Sequence, residues 1–565
     1  MYKKWKYTPL PAQAAILEFA EKLHISPIVS TLLLQREISD LAQAHLFLHP
    51  LENQLHDPML MKGMRTALDR LLKAIKEKEL ICIYGDYDVD GTTSVAMLYQ
   101  ALTSLGAQAY YYIPDRHKEG YGLSAEGIKQ AISKKAAILL CIDCGTKAVN
   151  PITQANHAGI DVIVCDHHQP GTTLPPTLAM LNPKQKDCLY PFKELSACGI
   201  GYKLLQGLFS QKNISPSHLH TYLDLVAVSI AADIVPMVGE NRLLAFHGLQ
   251  KINSAPSKGL EALLQLIDRP KPYSISDIVF GIAPFINAAG RISHAQEAVK
   301  LLLAKNTIQA SQQAKVLSAQ NASRKHIDTQ MTEEAMAMIA AQESQGYTHV
   351  LCHEEWHKGL LGIVASRCVE QVYKPTIVLT KEGDQAVGSA RSVVGYNLYE
   401  ALQACAHLFT RYGGHAYAAG ITLPFSQVDT LKNEFEQAVA STMPQKARSP
   451  IQPINLQLDF SLLTPALYQS LQQLAPFGPA NRRPVFSTYP ITAKKYWVYQ
   501  NKHIKMHVQQ PPNQSTWEAI GFNMAQYIEV IKSKKPFGIA YTIEQTTFQN
   551  RKCLQLILKD ISLPS

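Results

Sequence analysis

Three aspartates at alternate positions, Asp86, Asp88 and Asp90, stand where a predicted strand gives way to a predicted helix. The strand is the apolar run 80–83, and the helix is the apolar-periodic stretch 95–102. Side chains two residues apart in an extended segment point the same way, so these carboxylates would repel one another and resist desolvation. A divalent cation would relieve both costs, although an acidic, solvated turn fits this stretch alone equally well.

Further acidic residues and histidines follow the later predicted strands. The strand candidates alternate with helical stretches and cover 80–84, 108–113, 137–142 and 161–165. That alternation is typical of a doubly wound parallel sheet, whose strands end at one common edge. Asp143 follows the third strand, His167 and His168 follow the fourth, and Asp233 ends the apolar stretch 223–232. We therefore expect these side chains to converge at that edge.

The converging residues make up a predicted set of metal ligands: Asp88, Asp90, Asp143, His167, His168 and Asp233. Carboxylate oxygens dominate this set, with imidazole as the minor component. That mixture suits Mn²⁺ or Mg²⁺ better than a thiolate-rich zinc site would. The cysteines Cys141 and Cys144 form a single C-x-x-C with no second pair, which favours packing cysteines over zinc ligands.

Length and composition bound the class of protein. The chain has 565 residues, 46% hydrophobic and 18% charged, which is typical of a globular protein of three or four domains. No apolar run approaches the roughly 20 residues of a membrane span, and no signal peptide is evident, so we expect no membrane partner. Ten scattered cysteines favour a reducing compartment and a cytoplasmic location. The net charge of +9 permits a polyanionic partner.

The fold class we predict is α/β, in five segments along the chain. They are an N-terminal accessory segment 1–75, a parallel-sheet domain 76–294, a connecting helix or helix pair 295–345, a smaller α/β domain 346–430 and an OB-like β-barrel 450–565. The barrel interleaves aromatic and basic residues, among them Tyr496, Trp497 and Lys505. This pattern suits single-stranded nucleic acid, because bases stack while phosphates are neutralised, but an ordinary barrel surface fits it as well.

Two further segments are candidate phosphate sites. Arg291 lies in a small-residue stretch, where its guanidinium could hold a phosphate through two hydrogen bonds, although taken alone it fits a surface charge better. Arg391 lies in a similar Ser-Ala-Arg sequence. The glycines of Gly413-Gly414-His415 allow backbone amides to approach an anion or a base closely.

Taken together, these motifs resemble those of the DHH phosphoesterases with an associated DHHA1 domain. The resemblance rests on Gly85–Ser94 of the aspartate motif, on Asp143-Cys-Gly, Asp166-His167-His168 and Asp233-Ile-Val-Pro, and on the Gly413-Gly414-His415 stretch. Within that superfamily the chain is similar to the single-strand-specific DNA exonucleases. The similarity extends over nearly all of the chain after about residue 55.

The resemblance implies a DHH and a DHHA1 domain joined by a long helix, an OB-type barrel, dependence on Mn²⁺ or Mg²⁺, and removal of mononucleotides in the 5′-to-3′ direction. It carries the ligand role to the six residues already named. Asp86 and Asp166 match motif positions as well and are two further candidate ligands. Two departures stand out: Phe285 replaces an arginine that many relatives have, and Ala480-Asn481 replaces Gly-Asn.

A two-metal hydrolysis is the expected mechanism, with single-stranded DNA as substrate and a role in repair and recombination. Asp143 is the predicted bridging ligand and catalytic residue, and His168 is either a ligand or a catalytic donor beside the phosphate. Arg116, Arg291 and Arg391 are expected to hold the 5′ phosphate. A single-strand-binding protein or a helicase are possible partners. Two alternatives stay open: a phosphodiesterase of short oligonucleotides or cyclic dinucleotides, and a non-catalytic replication-associated scaffold.

Overall fold

The computed structural model describes residues 3–116, 118–342, 346–512, 515–548 and 551–562. The chain divides into two compact units. Unit 1 combines Met1–His49, Asp328–Ala475 and Arg483–Ser565, whereas unit 2 combines Pro50–Ile327 with Pro476–Arg482. Each unit therefore draws on separated parts of the sequence.

The chain begins with a short strand and three helices that belong to unit 1. They are β1 Lys4–Tyr7, α1 Gln13–Leu23, α2 Pro27–Leu34 and α3 Leu41–Leu48. The Ser26 and Asp40 side chains cap α2 and α3 by accepting hydrogen bonds from the Val29 and Gln43 amides.

Unit 2 is built on a five-stranded sheet. Its helices and strands are α4 Met64–Glu77, β2 Leu80–Gly85, α5 Val89–Ser104, β3 Gln108–Tyr112, α6 Ala125–Ser133, β4 Ile138–Ile142, α7 Val149–His157, β5 Asp161–Cys165, β6 Ala179–Leu181, α8 Ala197–Gln211, α9 Leu223–Ala232, α10 Gly239–Ser254, α11 Lys258–Leu264, α12 Ile275–Asp277, α13 Ala283–Ile292 and α14 Gln296–Leu302. The strand order is β3-β2-β4-β5-β6, and every pairing is parallel.

The strand order reverses beside β2, because β3 lies on one side of it and β4 on the other. In an open parallel sheet this switch point opens a crevice at the carboxyl ends of the strands. The four predicted strands and the parallel sheet are confirmed. The fifth strand, β6, was not predicted, because three residues are too short for a periodic signal.

One apolar stretch differs from the others. The segment before Asp233 is the buried helix α9 and not another strand end. A helix that is apolar on all sides lacks the polar face that would reveal its period, so its type cannot be read from the pattern.

The helical stretch Ile275–Ile292 is long and apolar enough to cross a membrane. Half of its residues are buried within the protein, as in a core helix.

The predicted connection 295–345 is a pair of helices, α14 followed by α15 Thr307–Ala341. Residues 343–345, at its end, lie outside the described residues.

Unit 1 contains a second, mixed sheet with the order β10-β11-β9-β8-β7. Its elements are β7 His349–Cys352, α16 Leu361–Val372, β8 Thr376–Glu382, β9 Gln385–Arg391, α17 Leu398–Ala404, β10 Arg411–His415, β11 Ala418–Pro424 and α18 Val428–Thr442. The two predicted strands and the helix between them are confirmed. Three antiparallel strands, β9 to β11, extend the sheet beyond that prediction.

The C-terminal region of unit 1 is a closed barrel. Its elements are β12 Ile451–Ile454, β13 Leu456–Gln457, α19 Pro465–Gln472, β14 Phe486–Tyr499, β15 His503–Gln509, β16 Thr516–Gly521, α20 Ile528–Lys532, β17 Phe537–Phe548 and β18 Arg551–Ser562. The sheet order is β13-β14-β15-β16-β18-β17, and an additional β14–β17 pairing closes it. This closure confirms the predicted barrel. Strand β12 pairs with β1, so the start of the chain is part of the same unit.

Candidate metal centre

The aspartate motif forms the turn between β2 and α5, at the switch point of the sheet. Gly91 is required there, because a Cβ at this position would lie 2.3 Å from the carbonyl oxygen of Asp86. Asp88 caps α5, since its Oδ1 accepts a hydrogen bond of 3.0 Å from the Gly91 amide. Asp90 already lies in the first turn of the helix. The predicted extended conformation is therefore wrong for Asp90, which is positioned by the helix.

Neutral donors from other helices hold the Asp90 carboxylate in place. Its Oδ2 accepts a hydrogen bond from the Ala197 amide at 2.8 Å, and its Oδ1 accepts from the Cys198 amide at 2.9 Å. Both amides are at the N-terminus of α8, where the helix dipole also favours a negative charge. The Ser229 hydroxyl on α9 donates to Oδ1 at 2.7 Å.

His167 lies among three of the predicted carboxylates. Its Nε2 is 3.3 Å from Asp143 Oδ1 and 3.9 Å from Asp90 Oδ2, and its Nδ1 is 3.6 Å from Asp233 Oδ2. Asp90, His167 and Asp233 offer one ligand atom each within 4.8 Å of one another. The sequence grouped Asp233 with strand ends, but this residue is at the C-terminus of α9.

A second group of ligand atoms, again within 4.8 Å of one another, comes from Asp86, Asp88 and Asp143. Asp143 also belongs to a third group, with Asp166, His167 and His168, so it is the carboxylate that connects the clusters. It has a positive φ of 62°, a left-handed conformation that costs a non-glycine residue about 1–2 kcal/mol. Such strain is typical of functional positions that the surrounding structure fixes.

The electrostatics of the cluster show an excess of negative charge. Burial, followed by the neighbouring carboxylates, raises the pKa of Asp86, Asp88 and Asp143 above the ordinary value. The same causes raise the pKa of Asp233 to about 9. Asp86 Oδ1 is buried and has no hydrogen-bond partner within the described residues. An unpartnered buried carboxylate oxygen beside other carboxylates is what a divalent cation would satisfy.

Asp166 and His168 form a separate hydrogen-bonded pair beside this cluster. Asp166 Oδ1 accepts from His168 Nδ1 at 2.7 Å and from the His167 amide at 2.8 Å, while its Oδ2 accepts from the Thr146 amide at 3.0 Å. Burial opposes ionisation of Asp166, but these hydrogen bonds outweigh it and hold its pKa below the ordinary value. Burial likewise opposes protonation of His168, yet the bond to Asp166 raises its pKa. Asp166 therefore orients its neighbours.

Two further residues lie at the site, Asn182 and Tyr121, and neither was predicted from the sequence. Asn182, which follows β6, donates from Nδ2 to the His168 carbonyl oxygen at 2.9 Å and to Thr146 Oγ1 at 3.1 Å. It follows a strand, as the predicted ligands do, and that strand was too short to recognise. The phenolic oxygen of Tyr121 lies 3.0 Å from His168 Nε2. Tyr121 lies in the loop between β3 and α6, where no local pattern indicates a role.

The predicted phosphate-binding residues occur in both units. In unit 2 the Arg116 guanidinium lies over the Tyr87 ring, 4.9 Å from its centroid, and Arg291 is in the last turn of α13. In unit 1, β10 carries Gly413, Gly414 and His415. His415 is opposite Ala418, which is in turn opposite Arg391. Arg391 and His415 therefore lie at the same register position, on β9 and β10, on either side of Ala418 in β11.

Comparison with known protein families assigns three regions of the chain. Residues 80–230 match the DHH family, N-terminal domain, residues 344–441 match the DHHA1 domain, and residues 454–560 match the RecJ OB domain. The single-stranded-DNA-specific exonuclease RecJ of Bacillus subtilis is 35% identical over 558 residues, which is 98% of this chain and 70% of that protein. The chain belongs to the RecJ family. RecJ of Escherichia coli is 31% identical, over 89% of this chain and 90% of its own length.

Solved structures agree with this assignment. RecJ from Thermus thermophilus in complex with Mn²⁺ superposes with a TM-score of 0.85 at 25% identity, covering 100% of this chain and 80% of that one. An exonuclease RecJ bound to manganese has a TM-score of 0.61 at 32% identity, covering 71% of this chain and 98% of its own. The doubly wound domain, the smaller α/β domain and the OB barrel are thus the architecture of RecJ.

Proposed function

We propose that this chain is a metal-dependent exonuclease that removes mononucleotides from the 5′ end of single-stranded DNA, acting in DNA repair and recombination. The observation that carries the proposal is the cluster of five carboxylates and one imidazole at the switch point of the unit 2 sheet, in a chain of the RecJ family. A non-catalytic scaffold would have no reason to keep this cluster, because its carboxylates repel one another.

The cluster fits two divalent cations of the Mn²⁺ or Mg²⁺ type. Asp90, His167 and Asp233 would hold one ion, Asp86 and Asp88 would hold the other, and Asp143 would contribute to both. Hard oxygen donors prevail, and the unpartnered Asp86 Oδ1 supplies a lone pair for a ligand. When bound, such ions activate a water molecule and stabilise charge on the leaving 3′ oxygen.

His168 serves better as a donor than as a ligand. Its Nδ1 is engaged with Asp166, and its Nε2 lies within hydrogen-bond distance of Tyr121, so it would coordinate an ion only by giving up one of these contacts. The raised pKa of His168 favours the protonated ring, which cannot coordinate an ion but would donate its Nε2–H to a phosphate oxygen in exchange for the Tyr121 contact. His167, whose pKa burial lowers, keeps a neutral nitrogen for coordination.

The direction of digestion requires a site for the 5′ terminal phosphate. Three separate candidates for this role are Arg116 and Arg291 in unit 2 and Arg391 in unit 1, because the planar guanidinium binds phosphate through two parallel hydrogen bonds. Gly413, Gly414 and His415 would contribute polar groups from the strands beside Arg391. Phe285, which replaces an arginine of many relatives, is buried in the unit 2 core and takes no part.

The barrel would bind the single strand through exposed aromatic and basic side chains of its own. Tyr496, Trp497 and Tyr499 on β14 are 40%, 39% and 50% exposed, and Lys494 and Lys495 precede them. Exposed aromatics beside lysines bind single strands without sequence preference, since every base has a stacking face. As protein partners we propose a single-strand-binding protein or a helicase, which present unpaired strands. The free state of all ten cysteines supports a cytoplasmic location.

The test uses 3′-labelled oligonucleotides, single-stranded or duplex, with a free or a blocked 5′ end. With Mn²⁺, the wild-type protein should shorten the single strand from its free 5′ end in single-nucleotide steps, and EDTA should stop it. Asp69→Asn, which changes an exposed carboxylate on α4, is the control for charge removal away from the site. Digestion that starts from the 3′ end, or that persists in EDTA, would refute the proposal.

A further inference from the structure

Unit 2 contains a cavity that lies apart from the metal centre. The cavity has a volume of about 720 Å³. Its walls are the segment 55–59, the beginning of α4, the C-terminal half of α8 and residues 214–219. All of these belong to unit 2. A volume between about 300 and 1,000 Å³ is typical of sites that bind small molecules.

Helix α8 extends from the metal centre to this cavity. The amides of its first residues, Ala197 and Cys198, donate hydrogen bonds to Asp90. The residues of α8 that line the cavity lie between Gln206 and Gln211. They are about 12–20 Å further along the helix axis than Cys198, at a rise of 1.5 Å per residue. A small molecule in the cavity is therefore a second ligand, distinct from the one whose phosphate is cleaved.

A buried ion pair fixes the wall that residues 55–59 form. Lys203 Nζ lies 3.1 Å from Glu240 Oε1, and both side chains are buried. Lys203 Nζ donates to the His56 carbonyl oxygen at 2.6 Å, and the His56 amide donates to Glu240 Oε1 at 3.0 Å. The Tyr190 hydroxyl donates to Glu240 Oε2 at 2.6 Å. Because this wall is fixed before any ligand arrives, binding does not have to order it.

One polar atom of the cavity lining lacks a partner. Gln206 Oε1 is buried and accepts no hydrogen bond within the described part of the chain. An unpaired buried oxygen costs free energy, so a ligand that donates an N–H to it recovers that cost. Met59, Phe209 and Leu219 supply apolar surface in the same cavity. A planar apolar ring with N–H groups at its edge, as every nucleobase has, matches both features.

Two charged side chains also line the cavity, Arg65 and Asp57. Arg65 is exposed in the first turn of α4. Leu68, three residues later on the same face, packs so closely on α8 that a Cβ at Gly207 would lie 2.9 Å from Leu68 Cδ1. The Arg65 guanidinium is thus placed to bind a phosphate at the cavity. Asp57 Oδ1 accepts from the Met59 amide at 2.9 Å, and its carboxylate has further capacity to accept from a sugar hydroxyl.

We propose that this cavity is a second nucleotide site, which binds a nucleoside 5′-monophosphate. The base lies against the apolar walls with an N–H toward Gln206 Oε1, the phosphate pairs with Arg65, and the free 3′-hydroxyl donates to Asp57. The choice of occupant rests on the proposed function, in which this class of compound is the product of digestion. The interior of a DNA strand has no free 3′-hydroxyl, so the site distinguishes released mononucleotides from the substrate.

The first experiment titrates the full chain with 2′-deoxyadenosine 5′-monophosphate in a calorimeter, with Mn²⁺ and then in EDTA. Without metal the carboxylates of the metal centre repel a phosphate, so binding that persists in EDTA reports the second site. Arg65→Gln should weaken this binding about tenfold or more, because charge-assisted hydrogen bonds are lost. Lys76→Gln is the matched control and should bind as the wild type does, since it removes an exposed charge about three turns further along α4. No binding in EDTA, or wild-type affinity in Arg65→Gln, would overturn the proposal.

The same titration identifies which parts of the nucleotide are bound. Deoxyadenosine lacks the phosphate, deoxyribose 5-phosphate lacks the base, and deoxyadenosine 3′,5′-bisphosphate has no free 3′-hydroxyl. Each should bind about tenfold more weakly than the 5′-monophosphate, because each loses one of the three polar contacts. Equal affinity for deoxyribose 5-phosphate would mean that Arg65 captures any phosphate, and the nucleotide site would be refuted.

Thermal unfolding of Gln206→Met tests the role of the unpartnered oxygen. Methionine has a similar length but no oxygen to satisfy, so the ligand-free variant should melt at a higher temperature than the wild type. The 5′-monophosphate should raise the Tm of the wild type more than that of the variant. A ligand-free variant that melts at a lower temperature would show that the fold itself satisfies this oxygen, which would overturn its assignment to a ligand.

Nuclease assays separate this inference from the proposed function. A protein that digests single strands but does not bind the 5′-monophosphate in EDTA refutes the second site alone. A protein that binds the 5′-monophosphate in EDTA but releases no mononucleotides refutes the proposed function and leaves the binding site in place.

Discussion

Replacement of Asp233 by asparagine should have opposite effects on stability without and with metal. In the metal-free protein, Asp233 has a pKa of about 9 because it is buried beside Asp90 and Asp88. At pH 8 the folded protein must therefore either keep this carboxyl protonated or accept charge repulsion, and the unfolded chain has neither cost. Asparagine removes the charge while keeping the shape, so it should stabilise the metal-free protein.

The magnitude lies between two independent bounds. Holding an aspartic acid protonated from its ordinary pKa of 3.8 up to pH 8 costs about 1.4 kcal/mol per pH unit, or about 6 kcal/mol at most. Two charges 4.8 Å apart, the limit of the group that contains Asp90 and Asp233, repel by about 3.5 kcal/mol at an effective dielectric constant of 20. The lower figure allows for solvent relaxation, so we expect a gain in the free energy of unfolding close to it, about 4 kcal/mol, or about 5–10 °C in Tm.

The direction of the Asp233 pKa shift determines how the stability of the metal-free protein changes with pH. A carboxyl whose folded pKa is raised contributes stability that is fully present below its unfolded pKa and is lost as the pH rises through the folded pKa. The metal-free wild type should therefore lose stability between about pH 4 and the pKa of about 9, and Asp233→Asn should lose less. With saturating Mn²⁺ the order reverses, because the wild type gains binding free energy through a ligand that the variant lacks.

The assay is thermal unfolding at pH 6, 7 and 8, in EDTA and in Mn²⁺, for the wild type, Asp233→Asn and the control Asp69→Asn. Asp69 is an exposed carboxylate of the same unit, so its removal should change neither Tm nor the Mn²⁺ response. A metal-free Asp233→Asn protein that melts at or below the wild-type temperature at pH 8 would refute the reasoning. It would mean that the carboxylates are not the source of strain in this cluster.

Four further predictions concern single residues. Asp143→Ala should abolish turnover in Mn²⁺ while the protein stays folded, as circular dichroism would show; near-native rates would exclude its bridging role. Arg291→Lys should lower the rate on 5′-phosphorylated strands and narrow their advantage over 5′-hydroxyl strands, because lysine keeps the charge but loses the fork; an unchanged ratio of initial rates would point to Arg116 or Arg391 instead. Trp497→Ala should weaken binding of long single strands about 5- to 100-fold in fluorescence anisotropy but spare hydrolysis of a trinucleotide, and equal losses on both would contradict a separate platform. Ala480→Gly should raise Tm slightly, because Ala480 has a φ of 61° where glycine is favoured, and a lower Tm would show that the turn is not strained.

The ligands were predictable from sequence where each one lies within two residues of the end of a buried strand. Asp143 and His167 come after runs of five residues that read as strands, and parallel strands end together. A deletion of the barrel after about residue 450 would also remove contacts with other parts of the chain. Strand β12 pairs with β1, and the Pro479 carbonyl oxygen accepts a hydrogen bond from the Met237 amide. Point substitutions on β14 avoid that disruption.

Contacts between segments that are distant in the sequence could not be predicted from it. The amides that hold Asp90 belong to Ala197 and Cys198, more than a hundred residues later, and no local pattern connects them. The same is true of Ser229, which lies on a helix too uniformly apolar to be assigned, and of Asn182, which follows a strand of three residues. Periodicity reveals the element that presents a side chain, but not the partner that orients it.

These orienting partners have a property in common that bears on the function. Asp90 is held by backbone amides and a serine hydroxyl, and Asp166 accepts further hydrogen bonds from the Thr146 and His167 amides. Neutral donors fix the direction of a carboxylate without cancelling its charge, whereas a paired lysine or arginine would lower its affinity for a cation. Burial, followed by the charge of the neighbouring carboxylates, raises the pKa of Asp86, Asp88, Asp143 and Asp233. The strain in the metal-free cluster is therefore the same free energy that favours metal binding.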